Sequence, residues 1–272
     1  MKKKNGWVYV VLCIALTVLL LPILSMVTTS FKTNAELYGG VSFLPQNPTL
    51  DNFVYVIENT DFVTNIVNSV IVSGAVTIIS VIAAALAGYT LTRFRGKPVK
   101  LFSVLLYMVQ MVPAILLLMP LFMVIRQIGL YDKLPSLMIA YTAINLPICI
   151  YMMKSFFATI PYEIEESAVM DGCGQFKAFL LLVIPISAPG LTSVGIIAFI
   201  YSWNEYMLAS VFIRSDAVKT LSVGLSQFSQ QFSVEWGAMM AAATLATVPA
   251  ALFLVFAQKY IVQGLTAGAV KG

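Results

Sequence analysis

Long apolar runs separated by short polar segments dominate the chain. A helix that crosses the hydrocarbon core of a membrane needs about 20 mainly apolar residues, at 1.5 Å each across roughly 30 Å. Six stretches reach that length, at about 8–29, 66–91, 101–125, 135–157, 179–202 and 237–258. The pattern predicts an all-α membrane protein, one transmembrane domain over 1–272 with six transmembrane helices. The run after Met1-Lys2-Lys3-Lys4 is too long for the apolar part of a secretory signal, and no small-x-small cleavage site follows it. It reads as an uncleaved anchor.

Inside the runs, small and hydroxyl side chains recur at close to four-residue spacing. Asn65, Ser69, Ser73, Thr77, Ala84 and Gly88 form one line; Gly237, Ala241, Thr244 and Thr247 form another. Such lines let helix backbones approach closely where lipid offers no hydrophobic gain, so they predict packing seams, with a polar pathway as the alternative. Pro113 and Pro120, Pro147, Pro185 and Pro189, and Pro249 interrupt the third to sixth runs. Each removes a backbone hydrogen bond and favours a kink.

Composition agrees with the pattern. Residues are 60% hydrophobic and 10% charged, against about 45–50% and about 25% for a soluble domain, and mean hydropathy is +0.91. Sixteen Lys+Arg and twelve Asp+Glu cannot cover a water-facing exterior of this size. A disordered chain and a secreted disulfide scaffold are excluded on the same ground. The net charge of +4 is spread along the chain rather than gathered on a face, which excludes a nucleic-acid partner. There is no histidine, hence no histidine-based triad or zinc-protease motif. Cys13, Cys149 and Cys173 lack Cys-x-x-Cys spacing, and no phosphate loop occurs, so the chain does not hydrolyse ATP by itself. No catalytic or metal-binding constellation stands out.

Charge orients the spans. Eleven Lys and Arg fall on the side of both termini (Lys2, Lys3, Lys4, Arg93, Arg95, Lys97, Lys100, Lys154, Lys177, Lys259, Lys271), against five on the other (Lys32, Arg126, Lys133, Arg214, Lys219). Both termini are therefore expected in the cytoplasm. The outward segments are about 30–65, 126–134 and 203–236; the inner loops at 92–100 and 158–178 differ in sign. In the second inner loop Pro161 is placed to open a short helix, and Glu163, Glu165 and Glu166 occupy its first turns, where the helix dipole favours carboxylates. Ile164, Ala168 and Val169 give it an apolar face; Gly172 and Gly174 supply a stop and a turn. Helices that merely lie on a membrane carry Lys and Arg toward anionic lipid. Three glutamates point instead to a docking surface for a cytosolic partner.

The same loop carries a family resemblance. Glu166-Ser167-Ala168, three residues, Gly172, nine residues, then Leu182-Val183-Ile184-Pro185 resembles the Glu-Ala-Ala…Gly…Ile-x-Leu-Pro motif of ATP-binding-cassette (ABC) importer permeases. Ser167 stands for Ala, Leu182 for Ile and Ile184 for Leu; Asp171-Gly172 looks like the carbohydrate branch. Ser30-Phe31-Lys32, Pro48 to Phe53, Asn68-Ser69, Arg93 to Lys97, Trp203-Asn204-Glu205-Tyr206 and Gly264 to Gly272 resemble further family segments in order along nearly the whole chain. The sequence resembles the second, shorter permease of a maltose-type or multiple-sugar-type importer.

That resemblance implies a type I ABC importer permease fold with a cytoplasmic coupling helix at about 161–175, in a bacterial cytoplasmic (inner) membrane. It implies four partners: a second homologous permease, two copies of a cytosolic ABC ATPase, an extracytoplasmic solute-binding protein and a carbohydrate. The chain itself would bind no cofactor; ATP and Mg would sit in the ATPase. Glu165, Glu166, Ser167, Ala168, Asp171 and Gly172 would couple to the ATPase. Gln110, Tyr141 and Asn145, amide and aromatic hydroxyl groups at membrane depth, are the candidate substrate path. Gln227, Gln230 and Gln231 would face the binding protein. The tail 259–272 reads from composition as a frayed end, and from the resemblance as a segment that can insert between ATPases. Alternatives left open are another cargo on the same machinery, such as a glycerol-phosphate or an amino acid, and a stand-alone secondary carrier. The lack of Lys or Arg within the spans leans toward a neutral solute.

Overall fold

The computed structural model describes residues 6–40, 42–229 and 235–269, and every long apolar stretch in it is helical. After α1 (Gly6–Ser30) come two short helices, α2 (Asn34–Gly39) and α3 (Asp51–Glu58), then α4 (Phe62–Arg93). The chain continues through α5 (Lys97–Met111), α6 (Ala114–Gln127), α7 (Leu134–Phe157) and the short α8 (Glu163–Met170). Next are α9 (Gln175–Ala178), a π-helical turn at Phe179–Val183, α10 (Ile184–Ile186) and α11 (Ala188–Asn204). Two short helices, α12 (Met207–Phe212) and α13 (Leu221–Gln227), precede α14 (Trp236–Ala269).

Among the described residues, four helices are each long and apolar enough to cross a membrane alone: α1, α4, α7 and the first part of α14. The third and fifth apolar stretches, expected as kinked spans, are sharply bent helix pairs, and counting each pair as one span gives the six expected. Their halves meet at 105° between α5 and α6 and at 75° between Gln175–Ile186 and α11. Proline explains both places. Val112, which precedes Pro113, is extended (φ −80°, ψ 120°) as a pre-proline residue prefers, and α5 stops there. Pro185 and Pro189 flank the second bend, and the Ser187 Oγ donates to the Val183 carbonyl at 2.6 Å. By contrast Pro22, Pro120, Pro147 and Pro249 lie inside continuous helices. The last helix runs on from Trp236 to Ala269, so residues 259–269 continue it rather than forming a separate irregular tail.

The core is the seam where α4 meets α7 and α11. The predicted line on α4 faces inward: Asn65, Ser69, Ser73, Ala84 and Gly88 are buried, while Ile71, Ile78, Ile82 and Leu86 are exposed. Ser73 and Thr77 donate to the carbonyls four residues back, at 2.6 and 2.7 Å, so their hydroxyls are satisfied within the helix. At Gly88 the backbones of α4 and α7 approach closely. A Cβ there would stand 2.8 Å from Met153 Cβ and 2.9 Å from Lys154 N. Just beyond, Thr92 Oγ1 reaches across to the Lys154 carbonyl at 3.1 Å. Close backbone approach of this kind makes α4 and α7 one rigid unit, with α11 laid against it at Gly195.

Candidate functional site

Helix α8 lies at the end of the bundle where α4 finishes and α7 leaves. It is eight residues long, shorter than the 161–175 expected, and starts two residues after Pro161. Its end follows the glycine logic. Gly172 takes φ +85°, and the Cys173 and Gly172 amides donate to the Ala168 and Val169 carbonyls at 2.9 and 3.0 Å. That is a helix stop for which a left-handed residue is needed.

The six residues expected to face a partner divide into two sets. Glu166, Ser167, Asp171 and Gly172 are exposed; Glu165 and Ala168 are buried against the chain's own body. The outward surface joins the carboxylates of Glu163, Glu166 and Asp171 to protruding apolar groups, with Met170 87% and Phe176 66% exposed. Large apolar side chains beside carboxylates, left uncovered at the end of α8 and the start of α9, suit a protein groove better than water.

Glu165 does something else. Only 3% exposed, its carboxylate accepts from Arg93 Nε at 2.7 Å and from the Tyr89 hydroxyl at 2.6 Å. A second nitrogen of Arg93 donates to the Ile160 carbonyl at 3.0 Å, and the guanidinium lies 5.6 Å over the Tyr162 ring. Tyr89 itself packs on Phe179 at 4.4 Å and edge-on to Phe157 at 6.0 Å. This anchor was not predicted. Arg93 counts in the sequence only as one basic loop residue, and nothing local connects it to a glutamate 72 positions later.

At the opposite end the segment from Glu205 to Gln227 is stitched to the start of α4. Asn68 Nδ2 donates to the Ala217 and Lys219 carbonyls at 3.0 and 2.9 Å, and Ser69 Oγ accepts from the Leu221 amide at 2.8 Å. Glu205 caps α12 by accepting from the Leu208 and Ala209 amides at 2.8 and 3.2 Å. Asp132, in the left-handed region at φ 59°, accepts from the Arg214 and Ser215 amides at 2.8 and 2.9 Å and from the Ser215 hydroxyl. Burial pushes the Asp132 carboxyl up, but the Ser215 and Arg214 bonds and the Arg214 charge outweigh it and hold it below the usual carboxylate range. Gln227 lines a cavity of about 170 Å³ with Tyr55, Asp61, Asn65 and Glu235. There the Glu235 charge, then burial and a bond to Glu235, raise the Tyr55 phenol above its ordinary value. Gln230 and Gln231 lie outside the described residues.

The three membrane-depth candidates are not brought together on a common surface. Gln110 is exposed in a shallow hollow with Tyr107, Pro147 and Tyr151. Tyr141 and Asn145 are buried in the α7 seam, where the Tyr141 ring meets Tyr201 edge-on at 6.4 Å. The Asn145 amide nitrogen is buried with no hydrogen-bond partner.

Known proteins resemble the chain along nearly its whole length. Residues 78–267 match the family of binding-protein-dependent transport system inner membrane components. The sulfoquinovosyl glycerol transport system permease protein SmoH of Agrobacterium fabrum is 35% identical over 93% of this chain and 89% of its own length. The inner membrane ABC transporter permease protein YcjP of Escherichia coli is 36% identical, covering 97% and 95%. The trehalose transport system permease protein SugB of Mycobacterium tuberculosis is 36% identical, covering 93% of each. In three dimensions, a chain of a bacterial ABC transporter involved in import of the acidic polysaccharide alginate superposes with a TM-score of 0.83 at 22% identity. It covers 96% of this chain and 99% of that one. A likeness at that identity speaks to the fold alone: this is the type I ABC importer permease architecture.

Proposed function

The chain belongs to the family of binding-protein-dependent transport system inner membrane components, and we infer that it is one of two permease subunits of a carbohydrate importer driven by partner ATPases. It is a multi-pass membrane protein. Relatives named for sulfoquinovosyl glycerol, trehalose and diacetylchitobiose support a small sugar or glycoside as cargo. A solved alginate transporter of like fold is described with its periplasmic protein bound to an alginate pentasaccharide. That supports an extracytoplasmic solute-binding protein as the partner that delivers the cargo here. The excess of Lys and Arg on one side supports cytoplasmic termini, and so a cytoplasmic α8.

The observation that carries the reading is the outward surface formed by α8, the turn after it and the start of α9. Its carboxylates and the bare side chains of Met170 and Phe176 suit a groove with a basic rim and an apolar floor on an ATPase. ATP and Mg belong to that partner. Closure of the ATPase pair on ATP would pull α8 and tilt the helices behind it, converting hydrolysis into alternating access. Of the candidate substrate contacts, Gln110 is reachable in the present conformation. Tyr141 and Asn145 would take part only when α11, whose Tyr201 lies against Tyr141, moves away from the α4–α7 unit. Gln227 would contribute to the surface that meets the binding protein.

Gentle affinity purification in detergent tests the reading. A second permease and an ATPase with a phosphate loop are expected to accompany the chain, and sugar with its binding protein is expected to stimulate ATP hydrolysis. Recovery of the chain alone, under conditions that spare other membrane complexes, would favour a stand-alone carrier. Glu166→Lys puts the wrong charge on the exposed acidic face. The expected loss of ATPase affinity is about 2–4 kcal/mol, or about 30- to 700-fold, with membrane insertion intact. Unchanged association would remove Glu166 from the interface.

A further inference from the structure

Helix α8 is held to the chain by two short connections, and one of them contains Gly172, at φ +85°, and Gly174. Connections of this sort let a helix pivot. If α8 is the element a partner pulls, which is the reading above, something stiffer must join it to the membrane core. Within α8 the Ser167 hydroxyl returns to its own helix, donating to the Glu163 carbonyl at 2.8 Å. Among the described residues, the side-chain hydrogen bonds that leave α8 for another helix both come from Glu165, and both go to α4, at Tyr89 and Arg93.

The surroundings fit a strut. Arg93 and Glu165 are 8% and 3% exposed, so water competes weakly for either charge. A guanidinium presents several donors in a rigid fork. Here one arm goes to Glu165 and another to the Ile160 carbonyl, fixing α8 and the end of the connection from α7 to the same point. Beside Arg93 and about a turn back along α4, Thr92 and Gly88 bind that end of the helix tightly to α7 at Lys154 and Met153. A push on Glu165 is therefore received by two helices together.

We propose that Arg93 and Glu165 are a positioning pair, the rigid link through which displacement of α8 reaches the α4–α7 unit. Glu165 then has a different task from its neighbour Glu166: it faces the bundle and transmits, while Glu166 faces the partner. Tyr89 supports the link by holding the second oxygen of Glu165, with its ring seated on Phe179.

The test uses the complete importer, with its companion permease and ATPases, in proteoliposomes supplied with binding protein and sugar. The readout is sugar accumulated per ATP hydrolysed, alongside the yield of assembled complex. For Glu165→Ala and Arg93→Glu, complexes are expected to assemble and hydrolyse ATP, with that ratio lowered about tenfold, inside the usual range for coupling between sites. The reversed pair, Arg93→Glu with Glu165→Arg, is expected to recover about a third or more of the ratio, since attraction between opposite charges survives exchange. Arg93→Lys keeps the charge but has no fork for the Ile160 carbonyl, and is expected to fall about two- to threefold. It is also the variant that reports if the others fail to assemble. A purely architectural role would lower yield, and with it both activities together, leaving the ratio where it was. An unchanged ratio in Arg93→Lys and in any single variant that assembles would overturn the proposal. If the unaltered chain brought no ATPase with it, the importer reading itself would fail; a coupled parent with indifferent variants would sink only the pair.

Discussion

Replacing Gly88 by alanine tests the packing on which that transmission depends. The intrinsic helix preference favours alanine over glycine by about 1 kcal/mol, so the substitution looks stabilising by propensity alone. The contacts say otherwise. The new methyl would stand 2.8 Å from Met153 Cβ, 2.9 Å from Lys154 N and 3.1 Å from the Met153 carbonyl carbon. Ordinary contacts are about 3.5–4.0 Å, so the helices must separate by roughly 0.7 Å or more. None of the three atoms is the far end of a flexible side chain; α7 has to yield as a whole. Overpacking of this kind costs about 1–3 kcal/mol, and separation also strains the bond from Thr92 to the Lys154 carbonyl, worth about 1 kcal/mol. After the propensity gain, a net loss of about 1–3 kcal/mol remains. Gly195→Ala is the control, because its methyl would meet Val81 and Thr77 at 3.5 and 3.6 Å, ordinary distances. Thermal unfolding of the purified protein in detergent should place Gly88→Ala below the parent by roughly 2–8 °C, with Gly195→Ala at or slightly above it. A Gly88→Ala protein as stable as the parent would refute the close seam, and with it the idea that α4 and α7 move as one.

Two further outcomes are expected at the other end of the bundle. Asn68→Ala deprives the Ala217 and Lys219 carbonyls of their donor, at a cost of about 1–3 kcal/mol; trypsin cleavage after Lys219 should speed up about fivefold or more, and an unchanged rate would show that the stitch does not hold the segment down. Asp132 has a carboxyl held below its ordinary value, so its contribution is present above the unfolded value near pH 4 and disappears as pH falls through the lower, folded value. The unfolding midpoint of Asp132→Asn should therefore lie below the parent's at pH 7 and converge with it under acid conditions; a gap that widened on acidification would contradict the assigned direction.

The parts of this protein legible in one sequence are those set by neighbours in the chain. A run of apolar residues becomes a spanning helix because its backbone must satisfy itself in lipid. The four-residue line from Asn65 to Gly88 shows its buried face because helical periodicity is local. Pro161, three glutamates and Gly172 announce a short acidic helix and its stop for the same reason, and the motif from Glu166 to Pro185 carried the family. Proline marked the places of bending but not the extent: Pro113 accompanies a 105° break, whereas Pro147 sits within an unbroken α7.

Tertiary structure alone decided which of two adjacent glutamates points outward. Glu165 and Glu166 are chemically the same, and only the arrival of Arg93 and Tyr89 from α4 turns one of them into an internal anchor. It decided likewise that Asn68 holds a segment 151 positions away, and that Tyr141 and Asn145 are enclosed while Gln110 is not. A charge or an amide acquires its role from partners that meet it in space, and such partners leave no periodic trace along the chain. The sequence determined the helices, their class and the short acidic helix with its glycine stop; the packing of α4, α7 and α8 determined how that helix is joined to the membrane core.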